Sequence, residues 1–206
     1  MRVFVGLDLD DEIRQRISEF VDEVRELAQG VRWVSPESLH VTLKFIGERP
    51  DAAVKDIEQA LASASEEPFQ IHFRGVGFFP AAKSARVFWV GIDAGPGLAE
   101  VAKRIDARLG GLGIPEEKRG FSPHLTLARA RASGGSGAPG RREGDKPNRQ
   151  FVKLREKLGK IASPDFGTMT AREFFLYRSQ LSNQGSRYTG SRYTKIARFE
   201  IKGINH

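Results

Sequence analysis

Strand alternation constrains this chain most tightly, because it acts twice on the same four-residue pattern. His40-Val41-Thr42-Leu43 recurs as His124-Leu125-Thr126-Leu127. Each copy lies in a β-prone run, 39–46 and 121–130. Side chains two apart on a strand share a face. The first run is therefore expected to carry His40, Thr42 and Lys44 on one face and Val41, Leu43 and Phe45 on the other. The second carries His124 and Thr126 opposite Leu125 and Leu127. Each strand would turn its apolar side to a core and present an imidazole beside a hydroxyl. The chain has four histidines, and chance seldom gives two of four the same companions.

The surrounding periodicity sets these strands in a repeat. Residues 2–9 alternate as a strand, and Asp10, Asp11 and Glu12 open a helix whose dipole favours their charge. Ile13, Ile17, Phe20, Val21, Val24, Leu27 and Ala28 follow at helical spacing, with Gly30 as the stop. Residues 31–34 form a short strand, and Ser35-Pro36 a turn into the first motif. A second helix opens at Pro50-Asp51, with Val54, Ile57, Leu61 and Ala64 inward. Strands are expected over 69–79 and 85–93, and a third helix over 97–109. After the second motif come a helix with Phe151, Leu154, Leu158 and Ile161 on one face, and two strands over about 172–182 and 192–202. Helix, connection, His strand and helix thus occur twice at nearly equal spacing, a weak internal duplication. A pseudo-twofold axis would bring the two His strands together across a cleft.

What the paired residues can do follows from their chemistry. The chain has no cysteine, so disulfides and thiolate catalysis are excluded. A zinc site wants three or four ligands. His72 alternates opposite Phe69, Ile71 and Phe73 towards solvent, and His206 is terminal, so no metal site is expected. Two facing imidazoles suit proton transfer near neutral pH. In-line displacement at phosphorus is one reaction such a pair could serve, since it needs one proton taken from the attacking oxygen and one delivered to the leaving oxygen on the opposite side. The hydroxyls of Thr42 and Thr126 can donate to the non-bridging oxygens. No cofactor is required, and the residues alone leave the two histidine roles interchangeable.

The motifs and their surroundings resemble a known group. Two His-x-Thr-x motifs about 80 residues apart look like the 2H phosphoesterase superfamily. Arg32-Trp33-Val34, Pro36-Glu37-Ser38-Leu39 and Phe45-Ile46-Gly47-Glu48 around the first, with Phe121-Ser122-Pro123 and Ala128-Arg129 around the second, narrow the resemblance. It is to the bacterial and archaeal RNA 2′,3′-cyclic phosphodiesterases, also called 2′-5′ RNA ligases, from Arg2 to about Ile201. The resemblance implies an α+β fold: bilobal, two antiparallel β-sheets with helices on the outer faces, a pseudo-twofold and a central cleft. It implies His40 as proton donor to the departing 3′ oxygen and His124 as proton acceptor, giving a 2′-phosphate. The same pair would serve reversible 2′-5′ RNA ligation. Arg129 matches an arginine that contacts the phosphate. Strict alternation puts Arg129 on the face of Leu125 and Leu127, so a bulge or twist must re-aim it. Phe121 is a candidate for stacking on a base or for the core; Trp33 and Trp89 read as core.

Charge and composition bear on the partner. The net charge is +7, and residues 131–160 hold nine Lys/Arg against three Asp/Glu. A clustered basic region suits a polyanion such as RNA, and RNA with 2′,3′-cyclic phosphate ends is the expected partner of a monomer. A small cyclic phosphate such as ADP-ribose 1″,2″-cyclic phosphate, or an RNA-binding module without catalysis, are the alternatives. No apolar run is long enough to span a membrane, and the start of the chain lacks a signal-peptide layout. A cytoplasmic protein of one bilobal domain over 1–206 is expected. Residues 132–149, rich in Gly, Pro, Ser and Arg, read as an insertion-like loop. Gly185-Ser186-Arg187-Tyr188-Thr189 repeats at once as Gly190-Ser191-Arg192-Tyr193-Thr194, lengthening a hairpin and leaving open which Arg-Tyr pair faces the cleft.

Overall fold

A computed structural model describes residues 1–62, 67–117, 120–131, 149–181 and 191–202. The expected loop 132–149 falls almost wholly outside these residues, as does the first copy of the five-residue repeat. Nine strands and four α-helices are described. In order they are β1 (Arg2–Leu7), α1 (Asp11–Val24), β2 (Arg32–Trp33), β3 (Val41–Glu48), α2 (Val54–Ala62), β4 (Phe69–Phe79), β5 (Val87–Asp93), α3 (Gly95–Gly110), β6 (His124–Arg129), α4 (Val152–Leu158), β7 (Asp165–Ala171), β8 (Glu173–Leu181) and β9 (Ser191–Glu200). No described helix is long and apolar enough to cross a membrane.

The helices follow their apolar stripes. α1 has Asp11 and Glu12 in its first turn and buries Ile13, Ile17, Val21 and Val24. α3 begins with Pro96, which has no amide hydrogen to leave unpaired at a helix start, and buries Leu98, Val101, Ala102, Ile105 and Leu109. α4 is shorter than its periodicity suggested, and Ile161 lies beyond it, 40% exposed.

The strands run in the order β7-β4-β5-β6-β3-β1-β8-β9, all described pairs antiparallel, with β2 on β6. β6-β5-β4-β7 and β3-β1-β8-β9 are the two expected sheets, related by strand order about the β3–β6 seam. That seam is a single register pair, Val41 with Leu125. Past it, β2 takes over the edge of β6, and the Val34 amide donates to the Leu127 carbonyl at 2.8 Å. The segment preceding β3 thus takes the place beside β6 that β3 leaves. The periodicity of 165–171 does not announce β7. This strand stands first in the path and β8 seventh, although only Arg172 separates them. Such a connection forces the sheet to curl into a half-barrel. α1 closes the curl by packing Phe20 edge-on against Phe166 of β7, centroids 5.3 Å apart.

The main core lies on the helix side, from Val3, Val5 and Leu7 through Val41, Leu43, Leu125 and Leu127 to Phe174 and Leu176. Trp33 belongs to it at 3% exposure. A second buried cluster of Phe4, Phe175 and Tyr177 lies on the opposite, concave face, with Tyr193 against it.

Candidate active site

The register of the seam determines which side chains share the concave face. Val41 and Leu125 are directly opposite and both wholly buried on the core side. Their neighbours His40, Thr42, His124 and Thr126 therefore point to the concave face together. Extending the antiparallel register by one residue sets His40 level with Thr126 and His124 level with Thr42. The two histidines occupy a diagonal, for which separations are about 7–8 Å in a regular sheet and somewhat less between Cβ atoms.

Both imidazoles are tied back in the same way. His40 Nδ1 lies 2.7 Å from the Ser38 carbonyl oxygen, and His124 Nδ1 2.9 Å from that of Ser122. A carbonyl oxygen only accepts, so each Nδ1 carries the hydrogen and each neutral ring presents a bare Nε2. Among the described residues neither Nε2 has a hydrogen-bond partner. The serine two residues before each histidine extends the repeated pattern to Ser-x-His-x-Thr, a signal the four-residue reading missed.

Two bulges decide what else faces the site. In the β1–β3 ladder Gly6 opposes Thr42 and Val5 opposes Lys44, leaving Leu43 unpaired. In β5–β6, Trp89 opposes Thr126 and Phe88 opposes Ala128, leaving Leu127 unpaired. Each bulge follows its Thr and reverses the alternation beyond it. Arg129 is thereby turned to the concave face, as its expected role requires. The same reversal overturns the reading of Lys44 and Phe45. Lys44 goes to the core side, 6% exposed, where its ammonium bonds the Asp106 carboxylate of α3 and the Pro115 carbonyl at 2.6 Å. Phe45 comes to the concave face, 62% exposed.

The two halves surround their histidines differently. Around His40 stand Phe4 (centroids 4.7 Å apart), Tyr193 edge-on at 4.9 Å and Tyr177 at 5.9 Å. Tyr193 of the second Arg-Tyr copy thus stands at the His40 ring, while Tyr188 of the first lies outside the described residues. Beside His124 is Phe79, edge-on at 5.1 Å and stacked on Trp89. Trp89 is thus half-buried on the concave face rather than in the core, lying over Gly77, where a Cβ would come 2.3 Å from the indole. Phe121 is partly buried and packs against the main core. His72 is outside the site, bonded to both Asp165 carboxylate oxygens at 2.9 Å.

His40 is further held by Arg14 of α1, which sequence reasoning did not single out. Its guanidinium donates to the Pro36 carbonyl at 2.5 Å and the Leu39 carbonyl at 3.4 Å, and to the Asp8 carboxylate. This clamps the turn before His40. Asp8 also accepts from Lys195. Burial alone would raise the Asp8 carboxyl, but the Lys195 hydrogen bond and the Arg14 charge outweigh it and hold it below its ordinary value. His40 itself is pushed down to about 4. Burial is the main cause, opposed by the bond to Ser38, with Arg129 and Arg14 lowering it and Asp8 raising it. Among the described residues no three His, Cys, Asp or Glu side chains gather as metal ligands would.

Comparison with known proteins assigns this arrangement to a class. The family described as "LigT like Phosphoesterase" matches twice, over residues 7–89 and 90–188, each match containing one His-x-Thr-x strand. The chain belongs to this family and is an enzyme, which sets aside the reading as a non-catalytic RNA-binding module. It is 34% identical over 91% of its length to an Archaeoglobus fulgidus protein named RNA 2′,3′-cyclic phosphodiesterase, covering 96% of that protein. A protein of the same name from Methanothermobacter thermautotrophicus is 31% identical, with 92% of this chain and 95% of that one covered. A crystal structure of a Thermus thermophilus protein matches over the whole of both chains, TM-score 0.74 at 29% identity. E. coli LigT complexed with 3′-AMP shares the fold, TM-score 0.73 over 98% of each chain at 24% identity.

Proposed function

We propose that this enzyme opens the 2′,3′-cyclic phosphodiester at an RNA end to a 2′-phosphomonoester, by proton transfer between His40 and His124. The observation that carries the reading is the matched pair of imidazoles: both Nδ1 committed to a carbonyl, both Nε2 bare, both on one face beside a threonine. His124 Nε2 takes a proton from water as its oxygen bonds phosphorus. The P–O3′ bond opposite breaks, and His40 Nε2–H delivers its proton to O3′. The products are a 3′-hydroxyl and a 2′-phosphate. Thr42 and Thr126 donate to the non-bridging oxygens, and Arg129 offers a guanidinium to the same charge. Against burial and Arg129, which lower the His40 imidazole, the Ser38 bond and the Asp8 carboxylate favour the protonated form that a donor needs. With a 5′-hydroxyl in place of water, the same steps would join it to the 2′,3′-cyclic phosphate as a 2′-5′ linkage. Hydrolysis should dominate in water when ends are dilute.

RNA ranks above a small cyclic phosphate as substrate on two grounds. The relatives carry RNA in their names, and nine Lys/Arg against three Asp/Glu lie within 131–160. The test is an RNA with a 2′,3′-cyclic phosphate end incubated in EDTA. A 2′-phosphate product supports the reading. An unchanged end, a 3′-phosphate, or an activity that EDTA abolishes and one divalent ion restores would overturn it.

A further inference from the structure

The two ends of the Arg14 guanidinium serve different groups. At one end Nη1 donates to the Pro36 and Leu39 carbonyls, at 2.5 and 3.4 Å. These carbonyls lie on either side of Ser38, whose own carbonyl accepts the His40 Nδ1–H at 2.7 Å. At the other end Nη2 donates to the Asp8 carboxylate and, at 3.2 Å, to the Leu9 carbonyl. Asp8 is fixed in turn by the Leu9 amide at 2.9 Å and by Lys195 of β9. A planar guanidinium holds acceptors in two directions at once, which a single ammonium does not. The second half of the chain lacks this device. Leu7 opposes Val41 where Val90 opposes Leu125, so Asp8 and Gly91 are equivalent positions. Six residues further on stand Arg14 in the first half and Gly97 in the second. Neither glycine offers a side chain. Among the described residues, no side chain other than His124 bonds the Phe121, Ser122 or Pro123 carbonyl. Both imidazoles are tied to a carbonyl, and that of His40 alone is braced from behind.

We propose that Arg14, oriented by Asp8, is the positioning residue that aims His40 Nε2 at the departing oxygen. It acts through the Ser38 carbonyl rather than on the substrate. The inference rests on the phosphodiester reading only for the identity of that oxygen. An imidazole turns about its Cα–Cβ and Cβ–Cγ bonds, so the acceptor at Nδ1 decides where Nε2 points. The turn Pro36–Ser38 is closed by two bonds of its own, Ser38 amide to Ser35 carbonyl at 2.9 Å and Leu39 amide to Pro36 carbonyl at 3.3 Å. Arg14 adds the outside hold that keeps the Ser38 carbonyl from rotating. A general acid must come within about 2.6–3.2 Å of the atom it protonates, and a misplacement of about 1 Å can cost about 10²-fold. The asymmetry between the halves has a chemical reason. A water molecule is free to move to His124, whereas O3′ is fixed to its ribose and arrives from one direction. The brace stands at the histidine whose partner cannot adjust.

The test joins steady-state kinetics on an RNA with a 2′,3′-cyclic phosphate end to heteronuclear NMR of the imidazole nitrogens. Wild type, Arg14→Gln and Arg14→Lys are compared, and His40→Asn assigns the His40 signals. His40 is held down to about 4, chiefly by burial, so at pH 7 its nitrogens report the neutral tautomer. The wild type should show Nδ1 protonated and Nε2 bare. Arg14→Gln should give a mixture of tautomers at His40 and leave the His124 Nδ1–H signal unchanged. Its kcat should fall by about tenfold to a hundredfold, with KM near the wild-type value because Thr42, Thr126 and Arg129 remain. Arg14→Lys keeps the charge at a single point and should lie between the two in both readouts; it carries the test if Arg14→Gln does not fold. A lower urea midpoint with wild-type kcat and tautomer would make Arg14 a stabilising residue only. A raised KM at unchanged kcat would make it a substrate contact, and a change in tautomer or kcat without the other would separate Arg14 from the aim of His40. Each of these outcomes overturns the positioning role. A wild type that leaves the cyclic end intact loses the phosphodiester reading instead, and the tautomer spectrum then decides the brace by itself.

Discussion

Binding of a single phosphodiester anion should place a proton on His40. In the free protein burial, aided by Arg129 and Arg14, holds the imidazole at about 4, so it is neutral at pH 7. A donor to O3′ must instead be protonated near working pH. Lifting the ring from about 4 to about 7 takes about 4 kcal/mol, at about 1.4 kcal/mol per pH unit. One negative charge about 4 Å from an imidazolium supplies about 4 kcal/mol at an effective dielectric constant of about 20. The substrate's own charge is therefore enough to arm its acid. The assay uses His124→Asn, which blocks turnover, and cytidine 2′,3′-cyclic phosphate, whose single charge does not titrate in this range. Calorimetry at pH 5.5 in buffers of different ionisation heat should show uptake of about 0.9 proton per site. The His40→Asn, His124→Asn double variant should show none. Absence of uptake with His40 in place would mean that it stays neutral beside the phosphate, and the donor role would pass to His124.

Other expectations follow from the same geometry. His40→Ala and His124→Ala should each lower kcat/KM by on the order of 10²-fold or more. The double change should cost far less than their product because both act on one displacement; near-parental activity in either single variant would refute the mechanism. The folded His40 value lies below the ordinary 6.5. Its stabilising contribution is thus present above about pH 6.5 and lost as pH falls towards 4, up to about 3 kcal/mol. Urea unfolding at pH 7 and pH 4.5 should show His40→Asn losing less over that interval than the wild type, and equal losses would contradict the shift. Lys44→Met leaves the Asp106 carboxylate without its cation and should cost about 3 kcal/mol in urea unfolding, a loss that an unchanged midpoint would exclude. Gly6→Ala puts a Cβ 2.9 Å from the Val41 carbonyl oxygen and 3.6 Å from the His40 ring. It should destabilise by about 1–3 kcal/mol and lower activity further by shifting the strand; a neutral substitution would show that the strand yields freely.

The sequence by itself determined the two His-Thr faces, the four helices and the duplication, because each is a local periodicity repeated in one stretch of chain. The resemblance carried by those motifs also reached the family and the bilobal sheet. The order of the residues beyond each threonine was not legible. Lys44 and Phe45 exchange faces, and Arg129 is re-aimed, because a bulge arises from how a neighbouring strand is registered, and Val5, Gly6, Phe88 and Trp89 are far from the motifs in sequence. The strand at 165–171 depends on an edge supplied by β4. That Tyr193 reaches His40, and how far burial and the arginines lower that imidazole, depend on groups that only the curled sheet brings together. Tertiary structure decided these points because pairing, burial and charge act across space, where alternation along one strand carries no information.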